Sequence, residues 1–447
     1  MTIQLKITDG SNTFTQDVDF RLIDYVPQAP SKGAATVTET ITVQVYGGNA
    51  SADGDLVVVN RMFDWARYWA KLGQPYHVWL EMTLDGVVWQ STIRDGVCAM
   101  QSSNWLDYER AVGLRTVGIT IERMAYWDGA EAQLGLTNRN GTGNTSGLTV
   151  FNHTDAGAGH DNFVSINYPG TTIADQPSPC RIEMTNTYAT GQMQDIWIGQ
   201  NFTDPANFPQ ILEGEAATGG STQSDAGCSG GQYQTITLAT TVETILFTWT
   251  LSSAFLNAAS GRFYKLMARW QFPDALNGTP NFMLRAKITD AAGNTLWTGD
   301  QVKPYQGYNL QISELHTLRL PMWLTGLSNQ VGLKLVLTGQ IDSGSLAVPL
   351  DFIQATPLDG WCYLKPLYSV PQNNRVMLDA VRNIAYMDDG SGNSLIGGIS
   401  MYGNPIMLKP NQLQRLYFLT HSWSGNVAEI DRTISVKVFW RPRRMTL

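Results

Sequence analysis

The chain has 447 residues, 43% of them hydrophobic and only 15% charged, with a formal net charge of -8. That is apolar material for about two to four packed domains and too much for a disordered chain. The acidic balance argues against a protein that must neutralise nucleic-acid phosphates, and the one basic run, Arg441-Pro442-Arg443-Arg444, reads as a solvated or interface tail.

The four cysteines, Cys98, Cys180, Cys228 and Cys362, have no Cys-x-x-Cys spacing and read as free thiols. The opening residues, 1–10, alternate like a strand. They have no basic start followed by an apolar run, so a secretory signal is not expected, and no window reaches the roughly 18 apolar residues of a membrane span. Synthesis in a cytoplasm, with release by another route such as lysis, is the expectation.

In the first block, to about residue 135, Val37, Glu39, Ile41, Val43 and Val45 alternate with Thr and Gln and predict a half-buried strand. Leu56–Val59 reads as more of the same sheet. Met62, Trp65, Ala66, Trp69 and Leu72 then fall at helical spacing, with Asn60 as N-cap and Gly73 as stop. The aromatic face of that short helix is expected to be core. Tyr76, Val78, Leu80, Met82 and Leu84, the turn Asp85-Gly86, and Val87, Trp89 and Ile93 predict a hairpin. Val117, Ile119 and Ile121 make a closing strand.

Residues 135–147 lack apolar periodicity and read as a linker. A strand-rich block follows over 148–213, with Arg181–Met184 and Asp195–Ile198 as its clearest strands. Residues 214–231 read as a second linker-like stretch. From 232 to 360 the alternations around Phe247, Leu266, Leu284 and Leu335, with turns every 8 to 15 residues or about that, predict a sandwich or jelly roll. The last block, 361–447, ends in the strand pattern Ile434, Val436, Val438, Trp440. The fold class expected is mainly β: multidomain antiparallel β-sandwiches and jelly rolls with one short helix in the N-terminal domain.

Chemistry-bearing motifs are missing. There is no Gly-x-x-x-x-Gly-Lys-Ser/Thr loop, no Gly-x-Gly-x-x-Gly after a strand, no Gly-x-Ser-x-Gly and no His-Glu-x-x-His. His153, Asp155, His160 and Asp161 share one loop, but their spacing fits no defined metal site and turn chemistry explains it equally well. No catalytic residue, metal or cofactor is expected. The aromatic supply, 14 Trp, 17 Tyr and 15 Phe, is the more informative feature. Trp297, Asp300, Tyr305 and Tyr308 share a loop-like stretch in which rings would stack on a sugar and the carboxylate would take its hydroxyls; edge packing explains the same aromatics.

Val376-Met-Leu-Asp379 is a short strand ending in Asp. It is followed by a loop, by Met401-Tyr-Gly-Asn-Pro-Ile-Met-Leu-Lys-Pro410-Asn411, by Leu416–Leu419 and by the terminal strand. That order resembles the C-terminal galectin-like sandwich of siphophage distal tail proteins, where a strand with an Asp, a leucine-x-proline-glycine turn and a closing strand recur. Pro179-Cys-Arg-Ile-Glu-Met-Thr-Asn186 resembles its opening strand. Asn411 departs from the family, which often has glycine in the turn.

The resemblance implies a ring-forming domain over 1–135, a split galectin-like sandwich over 148–213 plus 361–447, and between its halves, over 214–360, an inserted jelly roll like a carbohydrate-binding module. Leu350-Asp-Phe-Ile to Pro357-Leu-Asp-Gly360 would be the module's exit strand. It further implies a virion structural protein of the tail tip or baseplate, not an enzyme. A homo-oligomeric ring is implied, a hexamer favoured, with other tail and baseplate proteins as partners and a host surface glycan as ligand; no sequence-specific nucleic acid and no membrane insertion are expected. A capsid decoration protein or a glycan-binding adhesin is the alternative, and a polysaccharide-degrading enzyme a third reading.

Overall fold

The structure, a computed structural model, describes residues 3–31, 33–46, 49–71, 78–100, 114–143, 145–155, 158–167, 174–189, 192–202, 211–253, 255–256, 262–271, 281–304, 312–319, 332–391, 393–404, 406–410, 412–421 and 432–447. The described chain is mainly β, in several antiparallel sheets, with one long α-helix. It divides into two units: residues 1–132, 169–178 and 440–447, and residues 133–168 and 179–439.

In the first unit the strands run in the order Thr13–Thr15, Ile3–Thr8, Trp79–Leu84, Val87–Met100, Arg115–Met124, Thr36–Val45, Phe20–Asp24. The predicted alternation holds: Val37, Glu39, Ile41, Val43 and Val45 are all buried. The hairpin turn is at Asp85-Gly86, whose φ angles of 48° and 84° are the two positive values that a tight two-residue turn matching the strand twist requires.

The helix is longer than expected, Asn49–Lys71, and it absorbs Leu56–Val59. A four-residue apolar run carries no periodicity of its own, and here the helical register decides. Ala52, Val59, Met62, Phe63 and Ala66 form the buried stripe. Of the face expected to be core, Met62 and Ala66 are buried and Trp69 is half-buried, but Trp65 is turned outward at 47% exposed, next to Tyr68 at 52%. The expected stop, Gly73, lies outside the described residues.

The basic C-terminal run is not a solvated tail. Arg443–Arg444 pairs with Trp127–Asp128, and Arg443 donates to both carboxylate oxygens of Asp128, at 2.6 and 3.0 Å. Arg444 lies 4.7 Å from the Trp89 ring centroid.

In the second unit, one sheet runs Gly141–Gly143, Leu136–Asn138, Phe163–Asn167, Leu413–His421, Asp195–Asn201, Gly360–Pro366, Ile399–Gly403. Another runs Leu148–Phe151, Thr433–Trp440, Ser178–Asn186, Arg375–Asp379, Ile384–Asp388, Ser394–Ile396. Residues 135–147 therefore do not form a linker: they supply two strands whose backbone polar groups are satisfied within a sheet.

The chain between these halves builds two further sheets. The first runs Ser221–Ser224, Gln232–Leu238, Leu346–Pro357, Phe263–Trp270, Ile312–Arg319, with Ile211–Glu213 also on Leu346–Pro357. The second runs Thr244–Thr250, Lys334–Ile341, Phe282–Thr289, Thr295–Thr298. Residues 214–231 are part of this body as well, contributing Ser221–Ser224 and a short 3-10 turn at Ser229–Gly231. Trp249, Leu266, Leu284, Leu335 and Ile353 belong to one apolar core, which also takes in Phe163 and Tyr417 from the sheet that holds Phe163–Asn167 and Leu413–His421.

Candidate functional site

Trp297 sits on Thr295–Thr298, the last strand of its sheet, opposite Ile288. Its ring is half-buried against the apolar core and meets the imidazole of His316 edge-on, centroids 5.9 Å apart at 87°. Asp300 is exposed, and its backbone carbonyl accepts a hydrogen bond from His316. Burial lowers the His316 pKa below the ordinary histidine range, favouring the neutral ring. Tyr305 and Tyr308 lie outside the described residues. Trp297 and Asp300 are thus gathered around a residue that the sequence reading did not single out. His316 stands on a strand of the other sheet, and nothing in its local pattern announces the pairing.

A second constellation gathers on the strand Leu346–Pro357 and the segments packed against it. Asp351, wholly buried, forms an ion pair with the equally buried Arg269, and its carboxylate also accepts from the Ser229 N–H at 2.9 Å. Ser229 Oγ donates to Glu213 at 3.0 Å, while Glu213 Oε2 and Glu215 Oε2 are buried without a hydrogen-bond partner. Burial, then the charges of Asp351 and Glu215, push the Glu213 carboxyl up to about 8. Burial likewise pushes Asp351 up to about 6, against the pull of Arg269. These groups are spread over four chain segments, so no sequence window shows them together. They tie the 213–231 stretch to the strand Leu346–Pro357.

In the His153 loop, His160 Nδ1 lies 3.2 Å from His153 Nε2, and the His160 ring stacks on Phe151 at 3.7 Å. Asp155 and His160 pair through their backbones, and Asp161 turns to Arg139. Among the described residues, no three or more His, Cys, Asp or Glu side chains gather as a metal site would need. All four cysteines are free thiols. Among the described residues no helix is long and apolar enough to cross a membrane.

No protein-family model matches the chain, and no curated protein matches its sequence. Solved structures similar in part include a chain of the phage P2 baseplate in its activated conformation with Ca, at 10% identity and a TM-score of 0.27, covering 100% of both chains. Another is an exo-beta-1,3-galactanase from Phanerochaete chrysosporium, at 11% identity and a TM-score of 0.21, covering 77% of this chain and 86% of that one. Scores this low do not amount to a shared fold, and neither structure bears on what this chain does.

Proposed function

We propose that this chain is a structural protein of a phage tail tip or baseplate, working by assembly rather than catalysis. Its first unit closes into a homomeric ring, a hexamer, at the end of the tail tube, and the rest of the chain meets other baseplate proteins and the host surface. The resemblance to distal tail proteins rests on chain stretches that are far apart in sequence. The observation that supports it most is that these stretches belong to common sheets. Arg181–Thr185 pairs with Arg375–Asp379, and Asp195–Asn201 lies between Leu413–His421 and Gly360–Pro366. The jelly roll is built from the chain in between. Trp297 and Asp300, with His316, are the module's proposed glycan contacts.

A cyclic ring uses heterologous contacts, so each subunit needs two different complementary patches. The outward helix face with Trp65 and Tyr68, and Val87 and Val88 beside the hairpin turn, are exposed apolar groups of the first unit suited to such contacts.

The test is the mass of the purified protein across concentrations, by mass photometry. A species near six times the 49.3 kDa chain is the expected result. A trimer would favour a decoration protein or adhesin. A monomer that also fails to close when mixed with tail tubes would remove the ring reading.

A further inference from the structure

Two exposed apolar patches of the first unit stand at the two ends of one long strand, Val87–Met100. At one end is the tip of the hairpin. Asp85 and Gly86 make its two-residue turn, and Val87 and Val88, 53% and 39% exposed, follow it. Towards the other end the strand runs under the helix Asn49–Lys71. Phe63 packs over Gly96, Arg67 donates to Asp95 and to the Gly96 carbonyl, and the Asn60 side chain accepts from the Cys98 N–H. Val87 and Gly96 are roughly 25–30 Å apart along the strand.

The second patch is on the helix, turned away from that strand. Val57, Arg61, Trp65 and Tyr68 follow at the spacing of one helical face, and all four are exposed. Trp65 and Tyr68 meet edge-on, with centroids 5.8 Å apart at 87°. The buried stripe of the same helix uses Val59, Met62, Phe63 and Ala66, so packing within the unit does not account for the exposed one.

The two patches differ in charge. Over residues 56–71 the charged side chains are Arg61, Asp64, Arg67 and Lys71. Asp64 is held by Arg67, which also holds Asp95, while Arg61 and Lys71 are exposed. Over residues 79–90 the charged side chains are Glu81 and Asp85. Glu81 is held by Lys6, and Asp85 is exposed at the turn. The helix stripe is therefore apolar and cationic, and the hairpin tip apolar and anionic.

We propose that the helix stripe receives the hairpin tip of a second copy of this chain, with Val87 and Val88 against Trp65 and Tyr68 and Asp85 towards Arg61. This rests on the ring reading and names the two patches that close it. Unlike charges favour tip on stripe, and they fix which way round the copies meet. Because the patches are different and lie at opposite ends of one strand, each copy takes one neighbour's tip and offers its own to the next, the head-to-tail contact that a cyclic ring repeats.

Sedimentation velocity on the full chain over a wide concentration range tests this with two double variants. Arg61→Glu with Trp65→Ala spoils the stripe, and Val87→Lys with Val88→Lys spoils the tip; all four positions are exposed, so the core and the turn residues are left alone. Each variant by itself should raise the concentration for half-assembly about tenfold or more. An equal mixture of the two should give a species of twice the 49.3 kDa chain and no larger ring, held by the one intact stripe and the one intact tip. Either variant assembling like the unaltered chain overturns the proposal. So does a mixture that stays monomeric throughout the range while the unaltered chain assembles; the ring reading survives both results. An unaltered chain that stays monomeric, alone and with tail tubes, removes the ring reading and this contact with it.

Discussion

Arg123 donates to Glu39 from Nε at 2.9 Å and again from Nη2, and the two side chains are 0% and 1% exposed. Glu39 occupies an inward position of an alternating strand, where sequence pattern alone would expect an apolar residue. The charge is held there by Arg123, by the Tyr25 hydroxyl at 2.7 Å and by the Gln28 N–H at 2.8 Å, and the guanidinium stacks on Trp127 at 4.4 Å. The pair thereby pins the segment around residues 25–28 to the sheet. Removing one partner strands a buried charge, which costs about 3–5 kcal/mol. Arg123→Met should lower the urea midpoint of the first unit accordingly, and adding Glu39→Gln should recover part of the loss. A loss no larger than that of a surface substitution would mean the pair is open to water.

Gly96 lies under the helix. A methyl group added there would stand 2.8 Å from the Phe63 ring, closer than such atoms approach. Gly96→Ala should therefore destabilise the first unit by about 1–3 kcal/mol through overpacking. Phe63→Leu made on top of it should give back part of that, a non-additivity that a double-mutant cycle in urea measures. Strict additivity would show that helix and strand are not in contact at this point.

The carboxyl cluster sets a pH dependence. Glu213 is raised from about 4.5 unfolded to about 8 folded, so between those values the folded chain holds a proton that the unfolded chain has released. Stability contributed by this group is therefore greatest below pH 4.5 and falls as pH rises to about 8. Asp351, raised to about 6, acts in the same direction over a lower window. Urea midpoints of the second unit should drop from pH 5 to pH 8, by about a few kcal/mol in stability, and Glu213→Gln should flatten the slope. An unchanged slope in that variant would locate the titration elsewhere.

Strands with an uninterrupted alternation were legible in the sequence: Thr36–Val45, the hairpin through Asp85-Gly86 and Thr433–Trp440 all form as their patterns predict. Short apolar runs were not, because Leu56–Val59 fits helix and strand equally until the neighbouring stripe decides. Polar strands were missed for the opposite reason. Leu136–Asn138 and Gly141–Gly143 bury little and are defined by their backbone partners rather than by side-chain pattern. The Trp297 site was legible for the two of its residues that share a strand and its exit.

The sandwich strands and the module share a core, which bears on whether the module is an independent attachment. Phe163, 8% exposed, packs beside Tyr417 at 5.7 Å, under Arg415 at 4.0 Å, and within the same apolar cluster as Trp249 and Leu266. Next to it Asn162 donates to Gln354 at 2.8 Å, on the module's long strand. Elements joined by a continuous core and a buried hydrogen bond lose their reason to fold separately. Phe163→Ala should cost about 3–5 kcal/mol, and that cost should fall on both parts together. The buried thiols report this directly, with Cys228 in the module and Cys180 and Cys362 in the sandwich strands. In pulsed thiol labelling across a urea series, all three should become reactive at one midpoint, and Phe163→Ala should move that midpoint for all three. Cys228 opening at lower urea than Cys180 would show a module that unfolds alone, and would sink the shared-core argument.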